Sequence, residues 1–156
     1  MAMVNDSAAE LLTEYVTVTI GDYLFGLPIF RVQDVFVPDR LTKVPLAPPE
    51  VAGILNLRGR VVTAIDMRSR LDLGAREPGA PVMAIGIELK GESYGLLVDS
   101  VGEVMALRNS ACEAKPVNLD PRLSRVAAGI YRLEGQLMVV LDVDRVLDIK
   151  NVAVAA

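Results

Sequence analysis

The most regular hydrophobic pattern in the chain is the alternation expected of a half-buried β-strand. Residues 15–20 read Tyr-Val-Thr-Val-Thr-Ile, so that valine or isoleucine occupies every second position. Gly21-Asp22 is a typical turn dipeptide, and residues 23–27 are predicted as the returning strand of a hairpin. Short apolar runs of this kind recur along the chain between turn residues. The pattern therefore predicts an all-β protein with a few short helices.

The same reasoning assigns the rest of the chain. Further strands are predicted over residues 34–37, 61–65, 82–89, 93–98, 101–107, 126–133 and 136–141, with 61–65 as a buried strand. Pro28 suits the first turn of a short helix over residues 29–33, and residues 50–57 are predicted as a short helical or turn segment. Residues 74–81 contain two prolines and two glycines and form a connector, whereas residues 108–125 form an irregular crossing.

The chain contains one pattern twice. Residues 25–35 align with residues 94–104, and residues 53–73 align without a gap with residues 129–149. In the second alignment Gly, Ile, Leu, Gly, Asp, Leu and Asp recur at matching places. This self-similarity predicts two related units that pack as two small barrels over a shared core. Whether the units exchange strands is left open by the sequence.

These observations give the predicted domain boundaries. One domain spans residues 15–150, with a first copy over residues 15–73 and a second copy over residues 82–149. Residues 1–14 and 151–156 are expected to be flexible tails.

Composition restricts the chemistry that the protein can perform. The chain has no histidine, which excludes Ser-His and Cys-His nucleophile pairs, imidazole metal ligands and phosphohistidine. Cys112 is the only cysteine, so the chain cannot form an intrachain disulfide. This agrees with a reducing compartment. A net charge of −4 with no Trp, three Phe and four Tyr disfavours nucleic acid as a partner. We therefore expect a cytoplasmic protein without a bound cofactor or metal.

Asp66 and Asp142 are the strongest candidates for a catalytic or metal-binding carboxylate pair. Each occupies the same position in its own copy, directly before a predicted short helix over residues 67–71 or 143–149. This equivalence favours helix capping, whose loss typically costs about 0.5–2 kcal/mol. A small Asp-dependent metal enzyme is the alternative from another functional class.

The charge distribution singles out Arg58, which lies in a predicted turn where the second copy has Glu134. Residues 53–71 carry four arginines and one carboxylate. Residues 88–103 have the opposite balance, with Glu88, Glu92, Asp99 and Glu103 against only Lys90. Complementary patches of this kind favour head-to-tail contacts with another copy or a relative. Two solvated faces are the alternative interpretation.

One segment resembles the signature of a known family. Asn56-Leu57-Arg58-Gly59 is similar to the Asn-Leu-Arg-Gly signature of CheW-like domains, the coupling proteins of bacterial chemotaxis. Four further segments match in order, and they span residues 25–35, 51–54, 95–101 and 141–144. The resemblance covers about residues 15–150, nearly the whole chain.

The resemblance implies a fold and a function. It implies two five-stranded SH3-like β-barrel subdomains around a common hydrophobic core, and a non-enzymatic adaptor. Such adaptors hold the regulatory domain of the histidine kinase CheA against the cytoplasmic tips of methyl-accepting chemoreceptors, and self-association or ring formation accompanies this role in receptor arrays at the membrane. The length of the chain favours a stand-alone coupling protein. An adaptor of a non-flagellar chemosensory system, for surface motility or biofilm formation, is the alternative.

The resemblance also implies receptor-contact residues in the groove between the barrels. Carried over by position, they are Val32, Asp34, Val35, Asn56, Arg58 and Val82. The family usually has Glu where this chain has the shorter Asp34, which is expected to pair with Arg58. Kinase contacts are not assigned to residues, and no catalytic or metal site is implied.

Overall fold

The computed structural model describes residues 11–149, and this part of the chain is built mainly of strands. Its ten strands are β1 (Leu12–Ile20), β2 (Tyr23–Pro28), β3 (Asp34–Phe36), β4 (Val51–Leu57), β5 (Arg60–Asp66), β6 (Met83–Leu89), β7 (Glu92–Val98), β8 (Ser100–Arg108), β9 (Ala127–Leu133) and β10 (Gln136–Leu141). Within the same range lie the short helices α1 (Met67–Arg70), α2 (Pro121–Ser124) and α3 (Val143–Val146), and the 3-10 turns Ile29–Arg31 and Asn109–Ala111. The predicted all-β class is confirmed. None of the helices between residues 11 and 149 has the length and apolar character that crossing a membrane requires.

The strands form two five-stranded sheets whose composition answers the question of strand exchange. The first sheet has the order β8-β1-β2-β10-β9 and the second sheet the order β3-β6-β7-β5-β4. Each sheet therefore combines the first hairpin of one copy with the last three strands of the other copy. Each hairpin is therefore inserted between strands of the other copy: it meets them in one parallel pair, β2 with β10 or β5 with β7, and in one antiparallel pair, β1 with β8 or β3 with β6. The remaining neighbours are antiparallel.

In each sheet the chain returns from one edge to the other. Thr42, beyond the edge strand β3, bridges to Ile54 on the opposite edge strand β4. Glu113, beyond β8, bridges to Ile130 on β9 in the same way. The neighbouring Gly53 makes the approach possible, since a Cβ there would lie 2.6 Å from the Thr42 carbonyl oxygen. These bridges link the two edges of each sheet and are compatible with the predicted barrels.

Three hydrophobic clusters fill the described region, and the largest lies between the sheets. This shared core takes buried side chains from both sheets, including Val18 and Phe25 from the first and Ile65 and Leu96 from the second. A second cluster, inside the second sheet, comprises Leu55, Val62, Ala64, Ala84 and Leu97. A third, inside the first sheet, comprises Tyr15, Tyr131, Met138 and Val140. Burial of each large apolar side chain stabilises the fold by about 1.5–3 kcal/mol, so the predicted shared core joins the two sheets firmly.

The prediction of a helical or turn segment over residues 50–57 is wrong, because Val51–Leu57 is the strand β4. This strand pairs with β5 as an antiparallel hairpin, and its register shifts at Gly53. The register of β9 with β10 shifts at the equivalent Gly129. Pairing with a neighbouring strand has overridden the weak local signal of this segment.

The predicted flexible N-terminal tail is too long. Leu12 pairs with Arg108, and residues 12–14 continue β1 along β8, so these residues belong to the first sheet. Residues 1–10 and 150–156, which include the rest of both predicted tails, lie outside the described residues.

Because each sheet needs strands from both copies, neither copy should fold alone. We expect the full chain to unfold in one cooperative transition, and a fragment of residues 1–80 to lack stable structure since its strands would leave both sheets incomplete. Circular dichroism melts and amide NMR spectra of the fragments 1–80 and 81–156, alone and mixed, test this. A dispersed spectrum and a cooperative melt for either fragment alone would contradict the shared-core account.

Candidate functional site

Three of the predicted receptor-contact residues lie where the chain passes from one sheet to the other. β2 ends in the first sheet, the 3-10 turn Ile29–Arg31 follows, and β3 begins the second sheet at Asp34. Val32, within this crossing, is half-buried and packs against the shared core. Val35 is 42% exposed. The crossing therefore places Asp34 and Val35 at the junction of the sheets, and the packing of Val32 against the core holds it there.

Asp34 and Arg58 form the expected ion pair. Arg58 Nη1 donates to Asp34 Oδ2 at 3.1 Å, so the shorter aspartate side chain reaches the guanidinium. The Arg58 side chain is 72% exposed, whereas that of Asp34 is only 20% exposed. An exposed pair of this kind contributes about 0–1 kcal/mol to stability, so it orients Arg58 more than it holds the fold.

The turn that carries Arg58 is fixed by its neighbours. Arg58 and Gly59 have φ angles of +52° and +84°, as in a two-residue type I′ hairpin turn between β4 and β5. The Asn56 Oδ1 atom accepts a hydrogen bond from the Gly59 N–H at 2.9 Å. Lys90 has nearly the same φ, +53°, in the β6–β7 turn, so this conformation belongs to the hairpin. The guanidinium is what distinguishes position 58, and Asn56 helps to position it.

The ion pair also shows that the second sheet curls. Its edge strands β3 and β4 would lie about 19 Å apart in a flat five-stranded sheet, far beyond the reach of an arginine side chain. Phe36 on β3 and Leu57 on β4 both pack against the second cluster, which brings the two edges together. The Asp34–Arg58 pair therefore lies over the seam where the edges of the second sheet approach each other.

Apolar side chains are exposed beside this seam. Val37, just after β3, is 68% exposed, and Val61 on β5 is 53% exposed. The prediction that residues 61–65 form a buried strand is wrong at Val61, which follows the first residue of β5 and is exposed like it. Asn56 and Val61 line a hollow together with Ile54. An exposed cation on a sheet that also exposes several valines is typical of a protein-binding surface.

Val82 has a supporting position in the structure. It is half-buried and packs against the second cluster, as Phe36 does. Of the six predicted contact residues, Asp34, Val35, Asn56 and Arg58 are grouped at the surface of the seam, while Val32 and Val82 pack against hydrophobic clusters.

The sequence reasoning did not single out Gly86. It lies opposite Asp34 in the β3–β6 pairing, and a Cβ at this position would collide with Asp34 Oδ1. A glycine inside the predicted strand 82–89 was the available signal, since glycine in a strand often marks a close approach.

Part of the predicted charge complementarity is satisfied within the chain. Arg68 and Asp99, which belong to the opposite patches, form a bidentate pair with an Nη2–Oδ2 distance of 2.7 Å and an Nε–Oδ1 distance of 3.0 Å. Arg70 donates to the carbonyl oxygens of Val146 at 2.8 Å and Arg145 at 2.9 Å. Both arginines are therefore engaged within the chain, and the head-to-tail contact stays a prediction that the other charges of the two patches would have to carry.

Asp99 connects three separate segments. It accepts hydrogen bonds from Arg68 on α1, from the Gly21 N–H in the first hairpin turn at 2.8 Å, and from Arg76 Nε in the connector at 3.3 Å. Burial acts to raise the pKa of Asp99, but the hydrogen bonds from Arg68 and Gly21 and the charges of Arg68 and Arg76 outweigh it and lower the pKa below its usual value. The hydrogen bond with Asp99 in turn raises the pKa of Arg68. The ionised form of Asp99 is thus the one that the fold stabilises.

The capping interpretation of Asp66 and Asp142 is confirmed. Asp66 Oδ1 accepts from the Arg68 N–H at 3.1 Å and Asp142 Oδ1 from the Arg145 N–H at 3.3 Å, at the starts of α1 and α3. Among residues 11–149, no group of three or more His, Cys, Asp or Glu side chains is placed to hold a metal ion.

Replacement of Asp99 by Asn should make the free energy of unfolding less dependent on pH in the acid range. Loss of the charge-assisted hydrogen bonds should lower the free energy of unfolding at pH 7 by about 1.5–3 kcal/mol. Since the folded-state pKa is lowered, this contribution is present above the unfolded value of about 3.9 and is lost as the pH falls further. Urea denaturation at several pH values should therefore show the two proteins converging below about pH 4.

The matched control is Asp22→Asn, which removes an exposed carboxylate next to Gly21. It should change the free energy of unfolding by less than about 0.5 kcal/mol. An Asp99→Asn variant as stable as the parent, or a stability difference that does not change with pH, would refute the role assigned to Asp99.

Comparison with known proteins agrees with these features. The sequence model of the CheW-like domain family matches residues 14–151 of this chain. A chemotaxis protein CheW from Rhizobium meliloti is 29% identical over 144 residues, which cover 90% of this chain and 93% of that protein. One from Bacillus subtilis is 27% identical over 124 residues, which cover 80% of each chain. A crystal structure of the scaffolding protein TtCheW from Thermoanaerobacter tengcongensis matches with a TM-score of 0.79 and 27% identity over 90% of both chains.

The family model covers nearly all of the described residues, including both sheets and the seam. The chain therefore belongs to the CheW-like domain family.

Proposed function

We propose that this protein is a non-enzymatic adaptor that couples the histidine kinase CheA to the cytoplasmic tips of methyl-accepting chemoreceptors. Family membership makes it a chemotaxis scaffold protein, and these two partners are the specific part of the proposal. The observation that carries it is the exposed Arg58, held by Asp34 over the seam of the second sheet, whose strands also expose Val35 and Val61.

Each residue of the seam has a role in the proposed receptor contact. Arg58 offers N–H donors to a polar group of the receptor tip, and Asp34 sets the direction of the guanidinium. Asn56 fixes the turn below Arg58, and Val35 offers apolar surface beside it. Val32 and Val82 hold the surrounding strands against the hydrophobic clusters. The receptor thus meets a preformed surface, which limits the entropy lost on binding.

The kinase would bind elsewhere on the same rigid body. Both sheets contribute to the shared core, so a displacement imposed at the seam moves the whole domain and not a single loop. Binding at the seam would then bias how the kinase regulatory domain is held, which is the coupling that the role requires. Through these partners the adaptor would be recruited to receptor arrays at the cytoplasmic side of the membrane.

Reversal of the charge at position 58 should weaken receptor binding without unfolding the protein. Arg58→Glu places two carboxylates together and removes the donors, and we expect a dissociation constant at least about tenfold higher, or about 1.4 kcal/mol. Fluorescence anisotropy with a labelled cytoplasmic tip fragment of a chemoreceptor from the same genome measures this, and a thermal melt checks the fold.

Arg60→Glu is the matched control. Arg60 is exposed at the start of β5, and its replacement by Glu changes the net charge by the same amount. It should leave the affinity within about a factor of three, as expected for a general electrostatic effect at a rim. If Arg58→Glu binds as tightly as Arg60→Glu, the seam is not the receptor site.

A further inference from the structure

The backbone conformation of Gly86 does not explain why this position is a glycine. It is buried within β6, where it pairs with Asp34 on one side and Gly95 on the other. Its φ lies outside the left-handed region that favours glycine, so its backbone conformation is open to any residue. Glycine in the interior of a strand weakens the strand relative to alanine. A steric reason for glycine must therefore be sought among its neighbours.

The nearest neighbour of Gly86 is the carboxylate of Asp34. A Cβ at position 86 would collide with Asp34 Oδ1 and would lie 3.2 Å from Asp34 Cγ, whereas the Asp34 carbonyl oxygen would be 3.5 Å away. The backbone of β3 thus tolerates a methyl group at this place, but the carboxylate does not. The Gln33 N–H donates to the Gly86 carbonyl oxygen at 2.8 Å, which fixes the start of β3 against β6 here.

The space above Gly86 determines where the carboxylate points. Asp34 and Phe36 lie on the same face of β3, and Phe36 packs against the second cluster. The Asp34 carboxylate lies beside Gly86 of β6, its side chain is only 20% exposed, and it reaches Arg58 at the seam. A methyl group at position 86 would turn the carboxylate outwards and away from this path.

We propose that Gly86 is a positioning residue of the receptor-contact site: it leaves the space in which the Asp34 carboxylate lies and so sets the direction of Arg58. The receptor part of this inference rests on the proposed function. The effect of Gly86 on the ion pair does not, and it can be measured without a receptor.

Gly95 provides a matched control one strand away. A Cβ at Gly95 would make ordinary contacts, at 3.4 Å from Val62 Cγ1 and 3.5 Å from Phe36 Cζ, and its φ is likewise outside the left-handed region. Gly95→Ala therefore adds the same methyl group to the neighbouring position of the same sheet and leaves Asp34 where it is.

The first test uses the side-chain carboxyl 13C resonance of Asp34 as a receptor-independent reporter. In the native background, Arg58→Ala should shift this resonance because it removes the paired guanidinium. In the Gly86→Ala background the pair is already broken, so Arg58→Ala should shift it no further, whereas the Gly95→Ala background should behave as the native one. An equal shift in the native and Gly86→Ala backgrounds would overturn the proposal.

The second test measures binding of the chemoreceptor tip fragment. Gly86→Ala should weaken binding about threefold to tenfold, the range of about 0.7–1.4 kcal/mol, while Gly95→Ala stays within about twofold. Gly86→Ala should have no further effect once Asp34 is replaced by Ala, because both changes remove the same interaction. Additive losses would mean that Gly86 acts by another route.

The remaining outcomes are also decisive. If Gly86→Ala does not fold, the Asp34→Ala/Gly86→Ala double variant should fold, because the collision is with the carboxylate; an unfolded double variant would overturn the proposal. If the NMR result holds but neither Arg58→Glu nor Gly86→Ala changes receptor affinity, the positioning role stands and the proposed receptor site is wrong.

Discussion

The exchange of hairpins between the two copies is the constraint on which the rest of the structure depends. Each hairpin completes the sheet of the other copy through a parallel pair, with Phe25 opposite Val139 and Ile65 opposite Leu96. All four side chains are buried in the shared core. Separation of the two copies would therefore break both sheets and expose that core at the same time. A domain of this kind responds to force as one body.

The exchange obliges the chain to cross between the sheets once in each copy, and the two crossings have different uses. In the second copy the crossing is Asp99, between β7 and β8, and its carboxylate is fastened by Arg68, Arg76 and a backbone N–H. In the first copy the crossing runs from the end of β2 to Asp34, includes a 3-10 turn and leads directly to the ion pair with Arg58. The carboxylate of one crossing thus binds partly buried arginines, whereas the carboxylate of the other holds an exposed arginine at the surface.

The sequence predicted most strands because alternation and turn residues are local signals, and it predicted the caps Asp66 and Asp142 because the repeat placed them alike. The local pattern of residues 50–57 gives no clear strand signal, although the equivalent residues 126–133 of the second copy are predicted as a strand, so the prediction for β4 is wrong. The exposure of Val61, the Arg68–Asp99 pair and the space over Gly86 depend on which strands become neighbours. Local patterns do not contain that information, and hairpin exchange in particular joins residues far apart in sequence. The family resemblance supplied the candidate site, and the structure shows which of its residues form the exposed ion pair and which pack inside.

The proposed link between a kinase and receptors requires that this protein assemble with the kinase. Size-exclusion chromatography with light scattering on the protein mixed with the regulatory domain of CheA from the same organism measures this. We expect a stable species with the mass of a one-to-one complex, or larger ring-like species. Two separate monomer masses at tens of micromolar would contradict the kinase-coupling role and would leave only the fold and the family membership standing.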